Sequence, residues 1–273
     1  MTVSSLNLNN NKIKALCILI VSCFSLLACD SSNPQKNQIE LLIYCGITMS
    51  NPMREIANNF EKKHQLKITI TQGGSEDLYQ SLKAAKKGDL YLPGSASYRD
   101  KHFADGLLKE SVKLGYNQAA LLVKKGNPKN ISADINNLTR KDLNVVIGSH
   151  ESGSIGKETK KILEKLGIYN VVLNNVLYLT SDSRTLNHAL KKGDADVIIN
   201  WKATAFFDNN KLYVDAISLD PKIAKPKQLL LNALSFSKHP QLVAKFMQYA
   251  SSAEANSIFK KFGFLTPQSI SVK

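Results

Sequence analysis

Apolar and polar positions alternate along this chain with two different periods. "IELLIYC" (39–45) is a short continuous apolar run, and "LKITIT" (66–71) alternates with period two, both strand signatures. Between them "NPMREIANNFEKKH" (51–64) places Met53, Ile56, Ala57 and Phe60 at helical spacing. "SEDLYQSLKAAKKG" (75–88) predicts a helix with Ser75 as N-cap and Gly88 as stop. "DLYLPGS" (89–95) predicts a third strand and "SYRDKHFADG" (97–106) a third helix. Strand alternating with helix is the pattern of a parallel sheet covered on both faces.

The alternation pauses at "YNQAALLVKKGNP" (116–128), which reads as one long strand ending in a turn. It restarts with "LNVVIGS" (143–149), a helix from Ser154 to Leu166, a strand at "NVLYLT" (175–180), the helix "SRTLNHALKKG" (183–193) and the strand "ADVIIN" (195–200). Another long strand, "KQLLLNALSFS" (227–237), precedes two helices, "PQLVAKFMQYA" (240–250) and "SAEANSIFKKFG" (252–263). Two α/β units joined by two long strands predict a two-lobed α/β protein. Residues 39–119 and 228–273 form lobe one and 120–227 form lobe two, with a ligand cleft between them. There is no internal sequence repeat and no low-complexity tract.

The N-terminus has a different pattern. Lys12 and Lys14 precede an uncharged stretch, Ala15 to Ala28, which is of signal-peptide length and short of the roughly 20 residues of a membrane-spanning helix. It ends Leu26-Leu27-Ala28-Cys29, which resembles a bacterial lipobox. Cleavage before Cys29 would leave that cysteine as the lipid attachment site, with residues 29–38 as a polar tether. The expected location is the extracytoplasmic face of the cell membrane. Asp30 resembles an inner-membrane retention signal, should the source be Gram-negative. Cys17 and Cys23 leave with the signal, so Cys45 stands alone and no disulfide framework forms.

Removing Lys12 and Lys14 lowers the formal net charge from +14 to +12. The remaining lysines are scattered along helices, so a solvated basic surface is expected rather than a nucleic-acid interface.

Candidate chemistry sits in five turns where a strand leads toward a helix: 45–50, 72–77, 92–97, 150–155 and 180–185. Each brings a hydroxyl and backbone N–H groups to a helix start, where unpaired donors and the helix dipole favour an anion. Helix capping is the competing explanation for each hydroxyl taken singly. Catalysis has no positive support. Ser152 and Ser154 lack the Gly-x-Ser-x-Gly frame of a nucleophile elbow, and "GSHESGSIGK" lacks a P-loop ending. His64, His102, His150, His188 and His239 show no metal-ligand spacing. No catalytic residue, metal or cofactor is expected.

At these turns the chain resembles the substrate-binding proteins of ABC transporters, of the type resembling the periplasmic molybdate-binding protein, over residues 40–265. "YCGITMSNPMREIANNFEKK" matches the family's first ligand turn and helix, with Thr48 in its Ser position. "GGSEDL" matches the second Ser turn at Ser75, and "LVKKGNP" (122–128) the crossover ending "VPKGNP". "KILEKLGI" (161–168) places the family's Pro-Ala-Gly turn on Ser152, Gly153 and Ser154. "SRTLNHALKKGDADVIINW" (183–201) puts Ser183 and Trp201 at further ligand positions, and "IFKKFGF" (258–264) is also similar.

The resemblance implies a type II periplasmic-binding-protein fold, in which two mixed sheets flanked by helices are joined by two crossover strands. It also implies a monomer that captures a molybdate- or tungstate-like oxyanion and delivers it to an ABC permease. Thr for Ser, Trp for Tyr and Ser-Gly-Ser for Pro-Ala-Gly depart from the family pattern. An alternative is a lipoprotein that senses another small anion, or a thiophilic species held by Cys45, and signals through a membrane partner. Arg99 and Arg184 read as solvated surface charge.

Overall fold

A computed structural model describes residues 38–207 and 209–266. The stretch expected to be a signal peptide, the expected tether up to residue 37 and the expected lipid-attachment position Cys29 lie outside these residues.

The chain builds two five-stranded sheets. The first contains β1 (Glu40–Gly46), β2 (Lys67–Gly73), β3 (Leu90–Leu92), β4 (Leu108–Asn117) and β10 (Lys227–Leu234), in the order β2-β1-β3-β10-β4. The second contains β5 (Ala119–Lys124), β6 (Val145–Gly148), β7 (Val176–Thr180), β8 (Val197–Trp201) and β9 (Val214–Ser218), in the order β7-β6-β8-β5-β9. In each sheet three strands run parallel, and a strand from elsewhere in the chain joins them antiparallel. The two sheets therefore share a topology, although no sequence repeat announces it.

The long run predicted over 116–128 is divided between the sheets. Asn117 pairs with Lys227 in the first, and two residues later Ala119 pairs with Trp201 in the second. β10 lies wholly in the first sheet, and residues 219–226 bring the chain back to it. β4 and β9 escape the hydrophobic pattern because charged residues interrupt them, Lys109, Glu110 and Lys113 in β4 and Asp215 in β9. In β4, Lys109 and Glu110 are exposed and Lys113 is the outer member of its pair with Leu230.

Helices cover both faces of the first sheet. Met53, Ile56, Ala57 and Phe60 of α1 (Ser50–His64) are buried as the helical spacing requires, in one cluster with Leu41, Ile43 and Cys45 of β1. That cluster also holds Phe246 of α7 (Pro240–Ala250) and Phe259 of α8 (Ala253–Lys261); the Phe60 and Phe246 rings meet edge to face at 5.2 Å. Burial of such a side chain stabilises by about 1.5–3 kcal/mol. On the opposite face Tyr44 packs with Leu78, Tyr79 and Leu82 of α2 (Ser75–Ala85), which explains why β1 is apolar on both sides. α2 ends with Lys86 in the left-handed region, two residues before the expected Gly88 stop. α3 (Ser97–His102) follows β3. Around the second sheet, α4 (Ser154–Lys165), α5 (Tyr169–Leu173) and α6 (Ser183–Lys192) bury Ile162, Leu163, Val172, Leu186 and Leu190 in one core.

Every parallel strand thus delivers its C-terminal end, and the helix start after it, toward the space between the sheets. That placement builds the site.

Candidate functional site

The turns after β1, β2 and β3 meet those after β6 and β7 around a small cavity. Its volume is about 10 Å³, the room of a single water molecule. Thr48, Ser75 and Gly94 line it from the first sheet; Gly153, Ser154 and Ser183 line it from the second. Five of the seven residues expected to bind ligand are therefore brought together. Ser152 and Trp201 stand behind the lining.

The hydroxyls are not helix caps. Ser75, expected as the N-cap of α2, is its first helical residue, and Gly74 is the N-cap. Ser154 likewise follows Gly153, and Ser183 follows Asp182. Glycine has no side chain to offer, so no side chain caps α2 or α4, and their first N–H groups are not taken up in that way. α6 differs: the Asp182 carboxylate accepts from the backbone N–H groups of Arg184 at 2.8 Å and Thr185 at 2.9 Å. This turns Asp182, the charged residue of the lining among the described residues, toward its own helix.

Two hydroxyls are oriented by fixed donors. Ser75 Oγ accepts from Gly94 N–H at 3.0 Å, and Ser154 Oγ accepts from Trp201 Nε1–H at 3.1 Å. Each has one lone pair engaged, so its proton remains available to an acceptor in the cavity. Gly94 is itself held by Asn117, whose Nδ2 donates to its carbonyl at 3.1 Å. Trp201 is fully buried; it positions Ser154 without lining the cavity. Across the cavity Thr48 Oγ1 donates to Ser183 Oγ at 3.2 Å. The arrangement is a small, neutral cluster of donors suited to an anion's oxygens.

Two glycines permit the close approach. A Cβ on Gly94 would lie 2.1 Å from Ser154 Oγ and 2.9 Å from its Cβ. A Cβ on Gly153 would lie 2.7 Å from the Ser181 carbonyl oxygen. Beside the cavity, Ser152 fastens the sheets together: its Oγ donates to Asp77 Oδ2 at 2.5 Å, and its carbonyl accepts from Glu76 N–H at 3.3 Å.

Cys45 is fully buried among β1, α1 and α8. Burial pushes its thiol pKa far up, which disfavours the thiolate that a thiophilic ligand requires. Ser154 has an indole N–H as partner, which cannot take up its proton, so the geometry gives no activated nucleophile there. Gly94 and Asp77 lie in turns that the sequence singled out, but neither was expected to help build the site, and nothing local marks Asn117. Arg99, read as solvated charge, reaches Asn232 Oδ1 at 2.7 Å.

Two α/β sheets of one topology, closing a donor-lined cavity between their strand ends, define a solute-binding protein. The profile of the bacterial extracellular solute-binding protein family matches residues 41–265, and the chain belongs to that family. A Bacillus subtilis protein named as an ABC transporter substrate-binding lipoprotein is 26% identical over 250 residues, covering 90% of this chain and 93% of its own. The molybdate-binding protein of Escherichia coli is 21% identical over 241 residues, covering 86% of this chain and 92% of its own. Among solved structures, the Azotobacter vinelandii periplasmic molybdate-binding protein shares the fold, with a TM-score of 0.73 at 13% identity; the match covers 84% of this chain and all of that one.

Proposed function

We propose that this protein is a lipid-anchored, extracytoplasmic binding protein that captures a small oxyanion and delivers it to an ABC permease. Its lobes are residues 39–119 with 228–273, and residues 120–227. One observation carries the reading: Ser75 and Ser154, from opposite sheets, each have an acceptor lone pair engaged and a proton left for the cavity. Thr48 and Ser183 complete the ring of hydroxyls, and the backbone N–H groups at the start of α4, with that of Ser75 in α2, add donors. No cation is needed in contact. A fully ionised anion is favoured over a protonated one because the site offers donors. A tetrahedral anion exceeds the present cavity, so the lobes part on entry, and ligand contacts replace the Thr48–Ser183 contact on closure. The Escherichia coli relative named for molybdate supports an oxyanion, and the Bacillus subtilis relative supports an ABC partner and a lipid anchor.

Thermal-shift measurements on the purified protein with molybdate, tungstate, sulfate and phosphate test the ligand. A ligand that binds only the native form raises stability by about 2.7 kcal/mol at a hundredfold excess over Kd. Absence of a shift with every anion, confirmed by calorimetry, overturns the reading. For the anchor, Cys29→Ser is expected to block processing or release the protein from membranes. Recovery of the unaltered protein in soluble, unlipidated form refutes the anchor.

A further inference from the structure

A groove of about 800 Å³ lies beside the Ser152–Asp77 contact, where Glu151 and Glu76, the chain neighbours of those two residues, line it. It shares no lining residue with the hydroxyl cavity. Its walls are α3 from the first half, α4 from the second and the returning chain at 225–228. Six lysines and four glutamates line it. Three of each are spent on one another: Lys101 on Glu76 at 2.8 Å, Lys227 on Glu158 at 2.9 Å and Lys160 on Glu164 at 3.9 Å. Among the described residues Lys157, Lys161 and Lys225 have no ion pair, which leaves three cations against Glu151. Lys157 and Lys161 stand four positions apart on α4 and so share a face. Lys157 reaches across to the first half, its Nζ 4.8 Å from the centre of the Tyr98 ring. Burial, with Lys101 close by, lowers its pKa from the ordinary lysine value. A partly desolvated cation crowded by other cations gains from an anion that replaces the lost water.

The groove is far larger than an inorganic anion needs, and its cations are spread along it rather than gathered at one point. A bilayer presents its headgroups on a surface too broad to enter a recess between two halves, whereas an extended peptide can lie along one. We propose that this groove seats an acidic segment of a protein partner, its carboxylates bridging Lys101 of the first half and Lys157 and Lys161 of the second. Lysine ammonium groups reward such carboxylates with charge-assisted hydrogen bonds, and exposed charges at an interface set its encounter rate and its salt dependence. Because both halves contribute, the seat exists only while they face each other. This assignment rests on the reading that the chain serves a membrane partner, and it adds where that partner touches the chain and with what charge.

Fluorescence anisotropy of a labelled hexaglutamate peptide with the purified protein tests it, with hexalysine as the control. Hexaglutamate should bind at low ionic strength and weaken as salt is added, and hexalysine should not bind. Lys101→Gln, Lys157→Gln and Lys161→Gln should each weaken hexaglutamate about three- to fivefold, with the fold checked by circular dichroism. Lys62→Gln, at an exposed position of α1 outside the groove, should leave it unchanged. Absence of hexaglutamate binding at low salt overturns the inference. Equal weakening by Lys62→Gln also overturns it, because the lysines then act only as a general field. Phosphatidylglycerol vesicles that bind through the same three lysines and displace the peptide overturn it in favour of a lipid surface. Hexaglutamate binding as expected, while no inorganic anion binds the cavity, keeps the groove and sinks the oxyanion reading; the opposite pair of results does the reverse.

Discussion

The two halves of the clamp are alike in topology and differ in how each hydroxyl is aimed. On the first sheet a backbone N–H, from Gly94, fixes Ser75; on the second a side-chain N–H, from Trp201, fixes Ser154. Both helices that follow start behind a glycine with no side-chain cap. The backbone donor belongs to a loop that must itself be held, and Asn117 holds it. The indole donor is anchored by the core, since Trp201 is fully buried at the end of β8. One half is therefore tuned by loop geometry and the other by a single side chain, which makes the second half the easier to alter by substitution.

The strongest test of this comparison places bulk between the halves. Gly94→Val is expected to abolish closure, because even its Cβ would overlap Ser154 Oγ at 2.1 Å. Ligand affinity should fall by more than about 2 kcal/mol, roughly 30-fold, while the unliganded protein stays folded; calorimetry with circular dichroism checks both. Gly153→Val should act more locally, pushing the start of α4 away from the Ser181 carbonyl that its Cβ would approach to 2.7 Å. Small-angle scattering with and without ligand should show its ligand-induced compaction lost. Normal binding and compaction would mean that this turn only begins a helix.

Removing the hydroxyls compares the halves directly. Ser75→Ala and Ser154→Ala should each cost about 1–3 kcal/mol of binding, the range for leaving a buried charged partner short of a donor. Trp201→Phe keeps the bulk and deletes only the donor that aims Ser154, so its cost should be smaller, about 0.5–1.5 kcal/mol. Similar losses for Ser154→Ala and Trp201→Phe would show that the indole supplies nearly all of the serine's value. No loss for Trp201→Phe would show that Ser154 orients unaided. The smallest effect belongs to the exposed latch beside the cavity. Asp77→Asn should change ligand affinity by no more than about 1 kcal/mol, the upper range for an exposed charged contact, and should shift the closed population in scattering only slightly.

What the sequence revealed and what it hid follow from the range of the interactions concerned. Periodicity alone located α1, because Met53, Ile56, Ala57 and Phe60 must share one face to be buried. It missed β4 and β9, since Lys109, Glu110 and Lys113 in one and Asp215 in the other break up the apolar signal. The strand-to-helix turns were legible as a group, because hydroxyl-bearing turns at helix starts follow a local rule; the family resemblance singled out Thr48, Ser75, Ser154 and Ser183 within them.

Their use was not legible. Ser75 looked like a cap until Gly74 proved to be the N-cap and Gly94, 19 positions away, proved to be the donor. Ser152, expected as a ligand contact, donates to Asp77, 75 positions away. The sequence by itself determined the elements and the kinds of group at their ends, because torsional preference and burial act over a few residues. Tertiary structure alone decided which hydroxyls line the cavity and which are spent on partners. Those outcomes depend on contacts between segments far apart in the chain, and no local pattern encodes them.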